Sequence, residues 1–222
     1  MTEQELLNKL NTVVSMAQEK ILALLTDLHN EQAVAKAREV FSNYPVVLET
    51  IDVQKNEFGK TTQVGGYATP DRIVISQNDI QSIDLNTPHE LENTLGTIIH
   101  EYAHKFRTHY GNLFEEASAS IFAEMCINYS KVKSNEQNSE LFNMVTSVDY
   151  QKAESQVRGI LYALKQKNMD IGMMVEYILG DENRFRQICG QLFGSSFDNY
   201  FNQANNTPIS QQFTNISEDL LK

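Results

Sequence analysis

The segment His100-Glu101-Tyr102-Ala103-His104 constrains this chain more than any other. On an α-helix its two histidines lie one turn apart and project from one face, and the flanking sequence supplies that helix. Thr87-Pro88-His89-Glu90 places a capping hydroxyl, a proline at the first helical position and an acid three residues after the cap. Leu91, Leu95, Ile98, Ile99, Tyr102 and Phe106 recur at helical spacing as an apolar face, and Gly111 stops the run after Tyr110. The fold therefore has to bury one face of this helix and put a His-Glu-His face elsewhere.

That second face has the chemistry of a metal site. Imidazoles at i and i+4 both reach a single Zn2+ at about 2.0–2.1 Å. Glu101, one position on, points beside the ion, where it can polarise a water. A catalytic site also needs a third protein ligand and an open position. A histidine six residues after His104 would serve, but Tyr110 stands there. His109 is one residue short and reads as a polar group near the negative end of the helix dipole. His29 and His89 have no companion motif and read as surface or capping residues. The third ligand is therefore sought in Leu113-Phe114-Glu115-Glu116-Ala117-Ser118-Ala119-Ser120, at the start of a helix over about Phe114 to Lys131. Gly111-Asn112 supplies the reversal between the two helices. Glu115 and Glu116 are both candidates, with Glu124 in reserve. The competing reading of either first-turn acid is that it only complements the helix dipole. The competing reading of the whole motif is a solvated helix face.

The rest of the chain reads as α+β and predominantly helical. Residues 2 to 29 form an amphipathic helix opened by a Thr2/Glu5 capping box. A second helix, about Glu31 to Asn43, ends before Tyr44-Pro45. Val46–Val53, Thr61–Ala68 and Arg72–Ser76 read as strands of a small mixed or antiparallel sheet, with Thr69-Pro70-Asp71 as a turn. Further helices are expected between Leu141 and Asn205. This gives three segments: a helical element at 1–44, a catalytic subdomain at 45–132 and a helical subdomain at 133–222.

Charge narrows the partners. With 29 acids against 18 bases the net charge is −11, so nucleic acid and anionic membrane surfaces are not expected. No stretch approaches the roughly 18 apolar residues of a membrane span. The polar start, Met1-Thr2-Glu3-Gln4, has no leader pattern. The chain as written reads as cytoplasmic, and its form permits secretion or delivery as an effector. Cys126 and Cys189 lack a CxxC pattern and read as core residues.

The HExxH segment followed by Glu115-Glu116-Ala117-Ser118-Ala119-Ser120 resembles the gluzincin metallopeptidases, in the aminopeptidase-like branch of the peptidase-MA group. There an Asn-Glu-Gly-x-Ala-Ser segment on the next helix supplies the last ligand. Tyr110-Gly111-Asn112-Leu113 is similar to the stretch that follows HExxH in that branch, and Gly65–Ala68 with Arg72–Ile75 resembles a strand pair ahead of the helix. The resemblance implies a zincin-like fold, one Zn2+ per chain held by His100, His104 and Glu116, Ser120 in support and Glu101 as general base. It implies hydrolysis of peptide bonds in a peptide or protein substrate, with Arg72–Ser76 as the sheet edge that aligns it. Two departures stand out: Glu115 replaces the usual Asn, and only eleven residues separate His104 from Glu116. Tyr110, Tyr129, Tyr150 and Tyr162 are available to steady an oxyanion, and none is singled out. The alternative function is a catalytically inactive or regulatory zincin-fold protein that acts by binding other proteins.

Overall fold

A computed structural model describes residues 1–28, 30–51, 54–55, 61–62, 65–106 and 113–134, with isolated positions at 175, 185, 187, 189–191 and 194. The Thr2 hydroxyl accepts the Glu5 N–H at 3.2 Å and the Glu5 carboxylate accepts the Thr2 N–H at 2.7 Å. This is the expected capping box, and α1 (Glu3–Asp27) starts from it. Leu6, Leu10, Val13, Ala17, Ile21, Leu24 and Leu25 form its buried stripe. Each large apolar side chain taken out of water contributes about 1.5–3 kcal/mol, so packing of this stripe, more than local propensity, holds the helix. Asn30 caps α2 (Glu31–Asn43) by accepting the Ala33 N–H at 2.9 Å. The helix stops at Tyr44, ahead of Pro45, and α2 packs on α1.

The chain then forms a three-stranded mixed sheet from β1 (Val46–Glu49), β4 (Gly66–Ala68) and β5 (Ile73–Ser76), in the order β1-β5-β4. β1 runs parallel to β5, with Val46 opposite Ile73, and β4 runs antiparallel to it, with Gly66 opposite Ile75. Between them β2 (Gln54–Lys55) and β3 (Thr61–Thr62) pair as a separate antiparallel ribbon. The expected strand over Val46–Val53 is thus shorter, and within the expected Thr61–Ala68 strand Thr61–Thr62 pairs in the ribbon and Gly66–Ala68 in the sheet, with 63–64 outside the described residues. All four residues of β5 are buried, as a strand covered on both faces requires. β5 is also central. The expectation that Arg72–Ser76 forms a sheet edge is therefore corrected: both of its sides are taken by backbone pairing, and the edges are β1 and β4. The β4–β5 connection is the expected turn, closed by Thr69 N–H to the Arg72 carbonyl at 2.9 Å.

A six-residue helix, α3 (Gln77–Ser82), leaves β5 directly, capped by the Ser76 hydroxyl. Its sequence signal, Ser76 three residues before Asp79, is too short to stand out from a turn. α4 (Pro88–Phe106) and α5 (Leu113–Ser134) follow. The start of α4 differs from the capping box expected of Thr87 and Glu90. The Glu90 carboxylate accepts the Asp84 N–H at 2.9 Å, and the Thr87 hydroxyl donates to Asp84 at 3.2 Å. Asp84 also accepts from Asn86 and so organises the turn before the helix.

The described residues are mostly helical with a small sheet, an α+β architecture. Two compact units are distinguished, 1–105 with 123–142, and 106–122 with 143–222; the second contains the edge-to-face pair Phe106–Phe122. Among the described residues no helix is long and apolar enough to cross a membrane. Cys126 and Cys189 are buried, as expected of core residues. Burial holds both thiols protonated, pushing Cys189 up to about 12. His29, His109, Tyr110, the expected turn at 56–60 and nearly all of 135–222 lie outside the described residues.

Gly66 is required by close approach. A Cβ there would stand 2.8 Å from the Val74 carbonyl oxygen and 2.8 Å from Ile75 Cδ1, whereas one at Gly65 would meet only side-chain atoms, at 3.2 Å or more. Gly66→Ala is expected to cost about 1–3 kcal/mol and Gly65→Ala less, which thermal unfolding of the two variants would show as a lower Tm for the first.

Candidate metal centre

The site is built on α4. Of the predicted face, Leu95, Ile98, Ile99, Tyr102 and Phe106 are buried and Leu91 is half-buried; Ala103 joins the buried set. Tyr102 fixes the rotation of the helix. Its hydroxyl accepts from Gln18 Nε2 on α1 at 2.7 Å, and its ring meets Phe41 of α2 edge-on at 4.9 Å. Burial raises the Tyr102 pKa above the ordinary phenol value, against the hydrogen bond from Gln18, so the hydroxyl stays protonated.

With Tyr102 turned into the core, His100, Glu101 and His104 occupy the other side. They are not solvated: His100 is 4 % exposed, Glu101 7 % and His104 5 %. Two imidazoles and a carboxylate out of water on consecutive turns cost free energy unless they find strong partners. This sets aside the solvated-face reading. The two imidazole Nε2 atoms stand 3.0 Å apart, with the rings edge-on at 4.7 Å between centroids.

Glu116 lies in the first turn of α5, two turns before Ala123 on the same unbroken helix. One ligand atom from each of His100, His104 and Glu116 lies within 4.8 Å of the other two. Ligand atoms at about 2.0–2.2 Å around a tetrahedral ion stand roughly 3.3–3.6 Å apart, and this donor set, two nitrogens and one oxygen within 4.8 Å, could hold a metal ion. Glu115 and Glu124 are also buried but fall outside this group. Ser120, one turn after Glu116, is 4 % exposed, and Glu116 itself is half-buried. His89 falls in the first turn of α4, three turns from His100.

Lys105 was not expected at the site. It is 5 % exposed, donates to the Thr69 carbonyl in the β4–β5 turn, and has its ammonium 4.4 Å from the centre of the Tyr44 ring. Burial pushes its pKa below the ordinary lysine value, and the carboxylates of Asp71 and Glu101 oppose that shift. The i, i+4 spacing of Glu101 and Lys105 was a visible signal for this pair.

No family model, curated protein or solved structure matches the chain.

The geometry makes a direct prediction about metal content. Elemental analysis of the purified chain is expected to give about one zinc per chain after equilibration. Glu116→Ala should fall well below that, while Glu115→Ala and Glu124→Ala should stay close to it. Equal loss in all three variants would remove Glu116 from the ligand set.

Proposed function

We propose that the protein is a zinc-dependent peptidase of gluzincin type, on a zincin-like fold, with His100, His104 and Glu116 as metal ligands and Glu101 as general base. The observation that carries this reading is the three-donor group in which His100, His104 and Glu116 converge within 4.8 Å, beside the buried Glu101. Bound there, zinc would supply Lewis-acid polarisation of a peptide carbonyl and would lower the pKa of a water.

The chain's own residues do the rest. Glu101 is not one of the three donors, and in this reading its carboxylate handles the proton. It takes the proton from the attacking water and returns it to the leaving amine. Lys105, anchored at Thr69 and Tyr44, stands one turn along from Glu101. β4 is the sheet edge that could align an extended peptide by backbone hydrogen bonds. It lies against the same helix: a Cβ on Gly66 would be 3.2 Å from Thr97, one turn before His100.

Glu101→Gln separates binding from chemistry. It is expected to retain zinc and to lower hydrolysis of a peptide library by about 10²–10⁴-fold. Full hydrolysis by Glu101→Gln would end the peptidase reading. Zinc binding without hydrolysis by the unaltered chain would move the function to protein binding.

A further inference from the structure

One cavity lies against α4 outside the donor group. It has a volume of about 290 Å³, near the lower end of the roughly 300–1,000 Å³ of small-molecule pockets. That is room for one side chain. It is bounded by Ile75 of β5, Asp79 of α3, Ile83 and, on α4, Glu90, Asn93 and Thr97.

We propose that this cavity is a specificity pocket for the cationic side chain of a lysine or arginine in the peptide substrate. The inference deepens the peptidase reading and rests on it for the identity of the substrate. Three observations converge. The first is position. Asn93, Thr97, His100 and His104 are spaced by four, three and four residues, so the cavity opens on the helix face that carries the two histidines. Thr97 is about 4.5 Å and Asn93 about 10 Å from His100 along the axis. At about 3.3 Å per residue of an extended chain, the pocket receives a side chain one to three residues from the cleaved bond. The second is charge. Among the described residues, the lining contains two carboxylates, Asp79 and Glu90, and no Lys, Arg or His. The third is amphipathicity. Ile75 and Ile83 offer apolar wall to a methylene stem, while the acids and the polar groups of Asn93 and Thr97 receive its charged end. Glu90 keeps its hydrogen bond from the Asp84 N–H, which holds its carboxylate in place.

The test uses two sets of acetylated, amidated peptides that differ only in lysine or norleucine at each position within three residues of a fixed central bond. Hydrolysis is followed with the unaltered chain, and binding with Glu101→Gln, so that cleavage does not intervene. Lysine is expected to win by about tenfold or more at one position, in kcat/KM and in binding. Asp79→Asn with Glu90→Gln should bring that ratio near one and leave the norleucine peptides unchanged. Should that double variant unfold, 0.5 M salt on the unaltered chain should compress the ratio in its place. Hydrolysis without any lysine preference overturns the pocket and leaves the peptidase reading standing. Lysine-selective binding that the double variant loses, with no hydrolysis by the unaltered chain, upholds the pocket and ends the peptidase reading. Binding of calcium alone at Asp79 and Glu90, with no response to the lysine peptides, also overturns it.

Discussion

Everything proposed for this protein depends on α4 being buried on two sides. Its apolar side follows from the hydrophobic effect and needs little comment. Its other side buries His100, Glu101 and His104, which water would otherwise solvate well. Desolvating such groups is costly unless hydrogen bonds, opposite charge or an ion compensates. Chains rarely place three ionisable side chains out of water on two turns for packing alone, and such clusters mark functional sites. Tyr102 is the residue that makes the division possible. Its hydrogen bond from Gln18 and its contact with Phe41 set the helix rotation, and the histidines take the direction that is left.

The sheet is tied to the same helix at two heights. Near the middle, the missing side chain of Gly66 lets β4 approach both the Val74 carbonyl and Thr97. One residue after His104, the Lys105 ammonium reaches the Thr69 carbonyl, and so holds the β4–β5 turn to the end of the helix. That turn is itself braced, since the Thr69 hydroxyl donates to Asp71 at 2.8 Å and accepts the Arg72 N–H at 3.2 Å. Across the sheet, the Glu49 carboxylate takes the Arg72 guanidinium at 2.8 Å and the Tyr67 hydroxyl at 2.9 Å. Both are exposed contacts and contribute modestly, but they link β1, β4 and the start of β5 in one register. Strand edge, pocket and histidines thus share one scaffold, the face of α4 between Glu90 and His104.

Local chemistry was legible at the level of residues. The Thr2 capping box, the Asn43 stop before Tyr44-Pro45, the Thr69-Pro70-Asp71 turn and the apolar spacing of α4 all depend on neighbours within a few positions. The same is true of the HExxH spacing, which a helix converts into two converging imidazoles. Where prediction and structure part, the deciding contact is remote. Glu90 turns to Asp84 because the loop before α4 brings that N–H to it. Lys105 looks like a surface residue until Tyr44 and Thr69 enclose it.

The sequence by itself determined the four long helices of the described residues, the approximate position of the strands and the pair of histidines with its glutamate, because these follow from periodicity and from caps within a turn or two. It left three acids, Glu115, Glu116 and Glu124, as candidate partners for that pair. Only the tertiary structure decided that Glu116 is the acid grouped with them, that β5 and not an edge strand carries the most apolar run, and that a cavity lined by Asp79 and Glu90 lies against α4. Strand order and the meeting of side chains on different helices are set by contacts between residues distant in the chain. Their free energy depends on which surfaces are buried together, and no local pattern records that.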